Sequence, residues 1–204
     1  MSTYLSTRCT AFAGVNRIAT GSLIDVALTI KGMEDRIEGP ILTFDDASGA
    51  VIDLDLRGGT AEIVTRLTGR GKAKALDSGH QGGGTNGPGR SRGRPKLGVI
   101  AREVTLLPRH WEWLAKQPGG ASQVLRRIVD EARRADGGKS DLNAAHERTY
   151  RFLSALAGNL VGYEEAIRAL FAGDYKSFNG RMATWPSDIR DHAITLSQSS
   201  PMQQ

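Results

Sequence analysis

The chain is interrupted near its middle by residues 70–98, which hold almost no apolar side chains and run through Gly79-His80-Gln81-Gly82-Gly83-Gly84-Thr85-Asn86-Gly87-Pro88-Gly89. A segment of that composition cannot bury enough surface to offset the entropy of ordering its backbone. It reads as a disordered, basic, glycine-rich linker between parts that can fold. The expected class is α+β: a small N-terminal α+β domain over residues 1–69, then the linker. A strand-helix-helix module over 99–139 and a helical domain over 140–196 follow, with a polar tail at 197–204.

Charge follows the same divisions. The net +5 separates into −3 over residues 1–69, +6 over 70–98, +3 over 99–139 and −1 over 140–204. Positive charge confined to the middle third points to a polyanionic partner for that third. No run approaches the roughly 20 apolar residues of a membrane span, and Met1-Ser2-Thr3-Tyr4 lacks the charged and apolar regions of a signal peptide. Cys9 is the single cysteine, so no internal disulfide framework is possible. A soluble, cytoplasmic protein is expected.

Local patterns fill in the ordered parts. Cys9-Thr10-Ala11-Phe12-Ala13 is a short apolar run ended by the turn residues Gly14 and Asn16. Leu23, Val26, Ala27 and Ile30 have helical spacing after Ser22, a fitting N-cap. Ile41–Phe44 and Val51–Leu56 flank Asp45-Asp46-Ala47-Ser48-Gly49, a hairpin signal, and Thr60 to Leu67 reads as a short helix capped by Thr60. Beyond the linker, Arg102–Leu107 is a strand candidate. Pro108 starts a helix carrying Trp111 and Leu114, Pro118-Gly119-Gly120 breaks it, and Ser122 caps a second helix with Val124, Leu125, Ile128, Val129 and Ala132 on one face. Asp141–Leu156, Tyr163–Phe171 and a segment after Pro186 complete the helical part.

The residues offer little for catalysis. His80, His110, His146 and His192 have no metal-ligand spacing, Cys9 has no neighbouring base, and no phosphate-binding glycine loop is present. Asp45, Asp46, Asp53 and Asp55 alternate as a solvated strand face does and lack EF-hand spacing. No enzyme, cofactor or metal site is expected.

Three resemblances bear on function. Arg92-Gly93-Arg94-Pro95, within Arg90–Lys96, resembles an AT-hook, with Ser91 where that element usually has proline. The resemblance implies that Arg90, Arg92, Gly93, Arg94 and Lys96 lie along a minor groove; a plain basic linker would bind polyanions without that geometry. Arg102–Arg134 resembles a ribbon-helix-helix module, in which two chains pair strands into a ribbon that enters the major groove. That resemblance implies a homodimer joined through Val104, Leu106, Leu107 and Trp111, with DNA contacts from Arg102, Ser122, Arg126 and Arg127. A ribbon used for dimerisation alone, or an ordinary strand-helix-helix packed inside one chain, fits the same pattern. Gly93–Gly98, Arg102–Trp111 and Ala121-Ser122, with Trp185-Pro186, are similar to a bacterial family known only as a domain of unknown function. The expected function is that of a bacterial DNA-binding protein, a transcriptional regulator or architectural factor with mainly electrostatic contacts. The alternative is a protein–protein adaptor whose N-terminal or C-terminal domain binds a partner across the flexible tether.

Overall fold

The computed structural model describes residues 4–37, 39–79 and 103–198. The fold is mixed α+β, as expected. Strands β1 (Arg8–Ala13), β2 (Asn16–Ser22), β3 (Ile41–Asp45) and β4 (Val51–Ile52) form an antiparallel sheet in the order β2-β1-β3-β4. The helices are α1 (Leu23–Gly32), α2 (Thr60–Gly79), α3 (Pro108–Ala115), α4 (Gly120–Asp136), α5 (Lys139–Leu156), α6 (Tyr163–Phe171), α7 (Tyr175–Arg181) and α8 (Ser187–Ser197). Among the described residues, no helix is long and apolar enough to cross a membrane.

The chain divides into two compact units, one of residues 1–73 with 138–204 and the other of residues 74–137. The N-terminal sheet and the C-terminal helices therefore share one unit, although the sequence reading separates them into two domains. The reason lies in β1, whose Cys9, Thr10, Ala11 and Phe12 are all fully buried. Successive strand side chains point to opposite faces. Cys9 and Ala11 join Leu23, Val26, Ala27 and Ile30 of α1 and Ile63 and Leu67 of α2 in one cluster. Phe12, with Phe44, joins Phe152, Leu153, Leu170, Phe178, Met182, Trp185 and Ile189 in the other. The sheet is thus the middle of three layers, and α5–α8 supply the third.

Phe152 carries much of that attachment. Its ring centroid lies 5.2 Å from Phe12 and 5.0 Å from Phe44, with an edge-to-face arrangement toward Phe44. The β3–β4 turn also meets α5 closely: at Gly49 (φ +68°) a Cβ would fall 2.0 Å from the Arg148 carbonyl oxygen. Only glycine fits that contact.

Several local expectations need correcting. Residues 70–79, read as the start of the linker, continue α2 to Gly79. Lys72, Ala73, Lys74, Ala75 and Leu76 are good helix formers, so local propensity outweighs the glycines there. Arg70 fixes the helix to the preceding segment by donating to the Asp53 carbonyl at 2.8 Å. The remainder of the linker, from residue 80, lies outside the described residues. Paired strand stops at Ile52, although Ile52, Leu54 and Leu56 do face the core while Asp53 is exposed. Ser22 caps α1 as expected, accepting the Asp25 N–H at 3.3 Å. Thr60 does not cap α2; the Glu62 carboxylate instead accepts the Gly59 N–H at 2.9 Å. Helix α7 has too short an apolar pattern to be read from sequence.

Phe152→Ala is expected to cost about 3–5 kcal/mol of unfolding free energy in urea titrations, the usual range for removing a large core aromatic ring. The Cys9 thiol is fully buried, and burial first, then Asp45 and Asp46, push its pKa up to about 12. It should react with a thiol reagent only after denaturation.

Candidate functional site

Two places among the described residues carry surface chemistry. The first lies in the unit of residues 74–137, where α3 and α4 form a helical hairpin with Leu114 and Val124 as its buried apolar residues. Two short helices cannot enclose a core, and the consequence is visible on their surface. Val104, Leu107, Trp111, Trp113, Ile128 and Val129 are each between 40% and 53% exposed. Large apolar side chains left this exposed are free to meet a partner surface. Arg102–Leu107 is expected as a strand, and its described part, residues 103–107, pairs with no strand among the described residues.

The sequence-derived contacts fall as follows. Val104, Leu107 and Trp111 are exposed and Leu106 is half-buried. Ser122, Arg126 and Arg127 are all exposed on α4, and Arg127 lies 3.8 Å from Glu131. Ser122 is not the cap, because the helix begins at Gly120 and the cap is Gly119 at φ +90°. Ser122 is instead the third helical residue, where its backbone N–H is among those that no helical carbonyl reaches. Arg90, Arg92, Gly93, Arg94, Lys96 and Arg102 lie outside the described residues.

The second place was missed from sequence. A recess of about 300 Å³ opens between the sheet and helices α5 and α8, lined among others by Arg8, Thr10, Arg17, Asp46, Arg148 and His192. Strand register places Thr10 opposite Thr20, and the Thr20 hydroxyl donates to that of Thr10 at 3.3 Å. Asp46 follows β3, its backbone N–H bonded to the Arg8 carbonyl at 3.0 Å. Arg148 from α5 donates through Nε to the Leu196 carbonyl at 2.7 Å and through Nη2 to that of Gln198 at 2.6 Å, which fixes its guanidinium.

His192 forms the floor. Only 5% exposed, its ring packs 4.7 Å from Phe152 and 5.5 Å from Phe12. Its Nε2 lies 3.8 Å from Asp46 Oδ1, beyond direct hydrogen-bonding distance, and both atoms are buried without a hydrogen-bond partner. Burial, reinforced by Arg17, pushes the imidazole pKa down to about 4. Burial also raises the Asp46 carboxyl, against a hydrogen bond from Thr10 and the charge of Arg8. Buried polar atoms are rarely left unpaired, so a pair of them marks a place that expects a visitor. The only hint in sequence is Thr10, polar within an apolar run; nothing in spacing links residues 46 and 192. No group of acidic, histidine or cysteine side chains among the described residues is arranged to hold a metal ion.

Residues 8–197 match the family described as "Uncharacterized protein conserved in bacteria (DUF2239)". The chain belongs to that family. The match covers both the sheet with its C-terminal helices and the α3–α4 hairpin, in agreement with the bacterial family of unknown function that the sequence resembles. No curated protein and no solved structure matches the chain.

The buried imidazole sets a pH dependence. A histidine whose folded pKa lies below its unfolded value of about 6.5 favours the folded state fully above that value and loses the contribution as pH falls toward the folded pKa. Asp46 acts in the opposite sense, since its raised carboxyl binds a proton more readily when folded. Unfolding free energy should therefore fall between about pH 6.5 and pH 4, and His192→Gln should flatten the decline, as read from denaturant titrations at each pH.

Proposed function

We propose that the protein is a homodimeric bacterial DNA-binding protein, a transcriptional regulator or architectural factor whose contacts are mainly electrostatic. The observation that carries this reading is the set of exposed apolar side chains on the α3–α4 hairpin, preceded by residues 103–107, which form neither helix nor strand pair with the described residues. The occupant that suits this face is a second copy of the chain. A two-fold axis would bring Val104, Leu106 and Leu107 of the two copies together as an antiparallel ribbon and cover Trp111, leaving the same residues buried on both sides. Ribbon-helix-helix proteins solve the same problem of a module too small to fold alone.

The charge distribution supports DNA as the ligand of that dimer. Residues 70–98 carry +6, and Arg102 adds to it beside the expected ribbon. Two chains double that charge, enough for counterion-driven association with a polyanion. In this reading Arg90, Arg92, Gly93, Arg94 and Lys96 form an auxiliary arm at the phosphates or in the minor groove, and Ser122 with Arg126 and Arg127 meets the backbone. Val104 and Leu106 are poor readers of base edges, so direct sequence recognition is weak.

Two measurements on the full chain test the reading. Sedimentation should give a dimer, and Val104→Asp with Leu107→Asp should give a folded monomer of unchanged far-ultraviolet circular dichroism. Fluorescence anisotropy with duplex DNA should show binding that weakens steeply with salt, and Arg92→Ala with Arg94→Ala, which removes four arginines from the dimer, should lower the slope of log K against log salt by about 4. A monomeric wild-type protein, or a double arginine variant with unaltered affinity and slope, would overturn it. Co-purification with a protein partner, at a DNA affinity no better than a basic peptide's, would favour the adaptor.

A further inference from the structure

We propose that the recess lined by Arg8, Thr10, Arg17, Asp46, Arg148 and His192 is a binding site for a small hydroxylated organic anion. The anionic end, a carboxylate or a phosphate, is held by the arginines, and a hydroxyl reaches His192 and Asp46 at the floor.

The charge arrangement selects an anion. Three guanidinium groups and one carboxylate line the recess. Arg8 and Arg17 are exposed at its mouth, where they attract and orient an incoming anion, while Arg148 is immobilised by two backbone carbonyls. A pre-oriented guanidinium loses little entropy on binding and presents its remaining N–H groups in a plane that suits carboxylate or phosphate oxygens. The Arg8 side chain already lies 3.9 Å from Asp46, so the carboxylate holds it over the opening without a tight bond. The hydroxyls of Thr20 and Thr195 add neutral hydrogen-bonding capacity along the wall.

The floor selects a hydroxyl. His192 is nine-tenths buried and unpaired at Nε2, and Asp46 Oδ1 is buried and unpaired 3.8 Å away. The gap is too long for a direct hydrogen bond and short enough for one oxygen to bond both atoms once a ligand parts the side chains that cover them, since neither atom touches solvent in the free protein. A hydroxyl can donate to Asp46 Oδ1 and accept from Nε2–H of a neutral imidazole at once, whereas a carboxylate oxygen placed there would face Asp46 with like charge. A cation is disfavoured by the three arginines. The recess therefore has an anionic subsite near its mouth and a hydroxyl subsite at its floor, in a volume at the small end of ligand cavities.

The other large hollow, about 660 Å³ beside Arg57, Glu62 and Arg66, leaves Arg66 Nε buried without a hydrogen-bond partner, but among the described residues no second unpaired atom lines it. Both arginines pair with Asp55, and Glu62 accepts the Gly59 N–H.

The test is a thermal-shift and calorimetric titration of the full chain with malate, succinate, glycerol 3-phosphate and inorganic phosphate. Malate and glycerol 3-phosphate separate carboxylate from phosphate, and succinate is malate without its hydroxyl. At least one hydroxylated probe should raise Tm by roughly 5 °C at about a hundred times its Kd. Its partner lacking the hydroxyl carbon framework or the hydroxyl itself, succinate for malate and inorganic phosphate for glycerol 3-phosphate, should bind about tenfold or more weakly. Arg8→Ala and Thr20→Val alter exposed side chains, so each should leave the Tm of the free protein unchanged while weakening that probe by about tenfold. The proposal is overturned if neither hydroxylated probe binds, if both variants bind as the wild type does, or if sodium chloride at matched ionic strength gives the same shift. Every residue of the site lies in the unit of residues 1–73 and 138–204, so this outcome is independent of the DNA and dimer tests, which address residues 70–137.

Discussion

The double-sided burial of β1 is the constraint on which the larger unit depends. A strand covered on one face needs one partner layer, but Cys9, Thr10, Ala11 and Phe12 have none of their surface in water. Cys9 and Ala11 require α1 and α2, and Phe12 requires the helices that begin more than a hundred residues later. Without the second layer, Phe12 and Phe44 would stand on a bare sheet. The aromatic contacts of Phe152 are what prevent this, and they explain why the two ends of the chain fold together while the middle forms a unit of its own.

The smaller unit has the opposite balance. Its hairpin buries Leu114 and Val124 and leaves its tryptophans and two branched residues of α4 half in water. About thirty residues bury too little surface to offset chain entropy, and the proposed association would supply the missing burial. That economy links the proposed dimer to DNA binding: the association that would satisfy the apolar face would also align two sets of basic side chains.

The recess in the larger unit owes its character to the same aromatic core. Phe12 and Phe152 press on His192 and keep water from its ring, which is why the imidazole is held neutral and why Nε2 has no partner. A polar pair at the edge of an aromatic cluster costs stability. The proposed hydroxyl would recover it, so ligand binding and the stability of the third layer are coupled through one side chain. If the chain regulates DNA, such a recess is the natural place for a small-molecule signal to enter.

How far the residues alone specified this arrangement differs from element to element. The mixed class, the cap at Ser22, the hairpin at Asp45–Ala50, the stop at Pro118 and the helices α5, α6 and α8 are written locally, because each depends on side chains within one or two turns of one another. The extension of α2 to Gly79 was hidden by glycines and charges that suggest disorder when their helix-forming neighbours are given too little weight. The union of sheet and C-terminal helices, and the meeting of His192 with Asp46, depended on long-range packing that no spacing rule encodes. The basic glycine-rich stretch shows the division most plainly. Its charge and the end of ordered apolar pattern are fixed by composition, whereas the entry of α2 into its first ten residues follows a helix held to the rest of the unit through Ile63, Leu67 and Arg70.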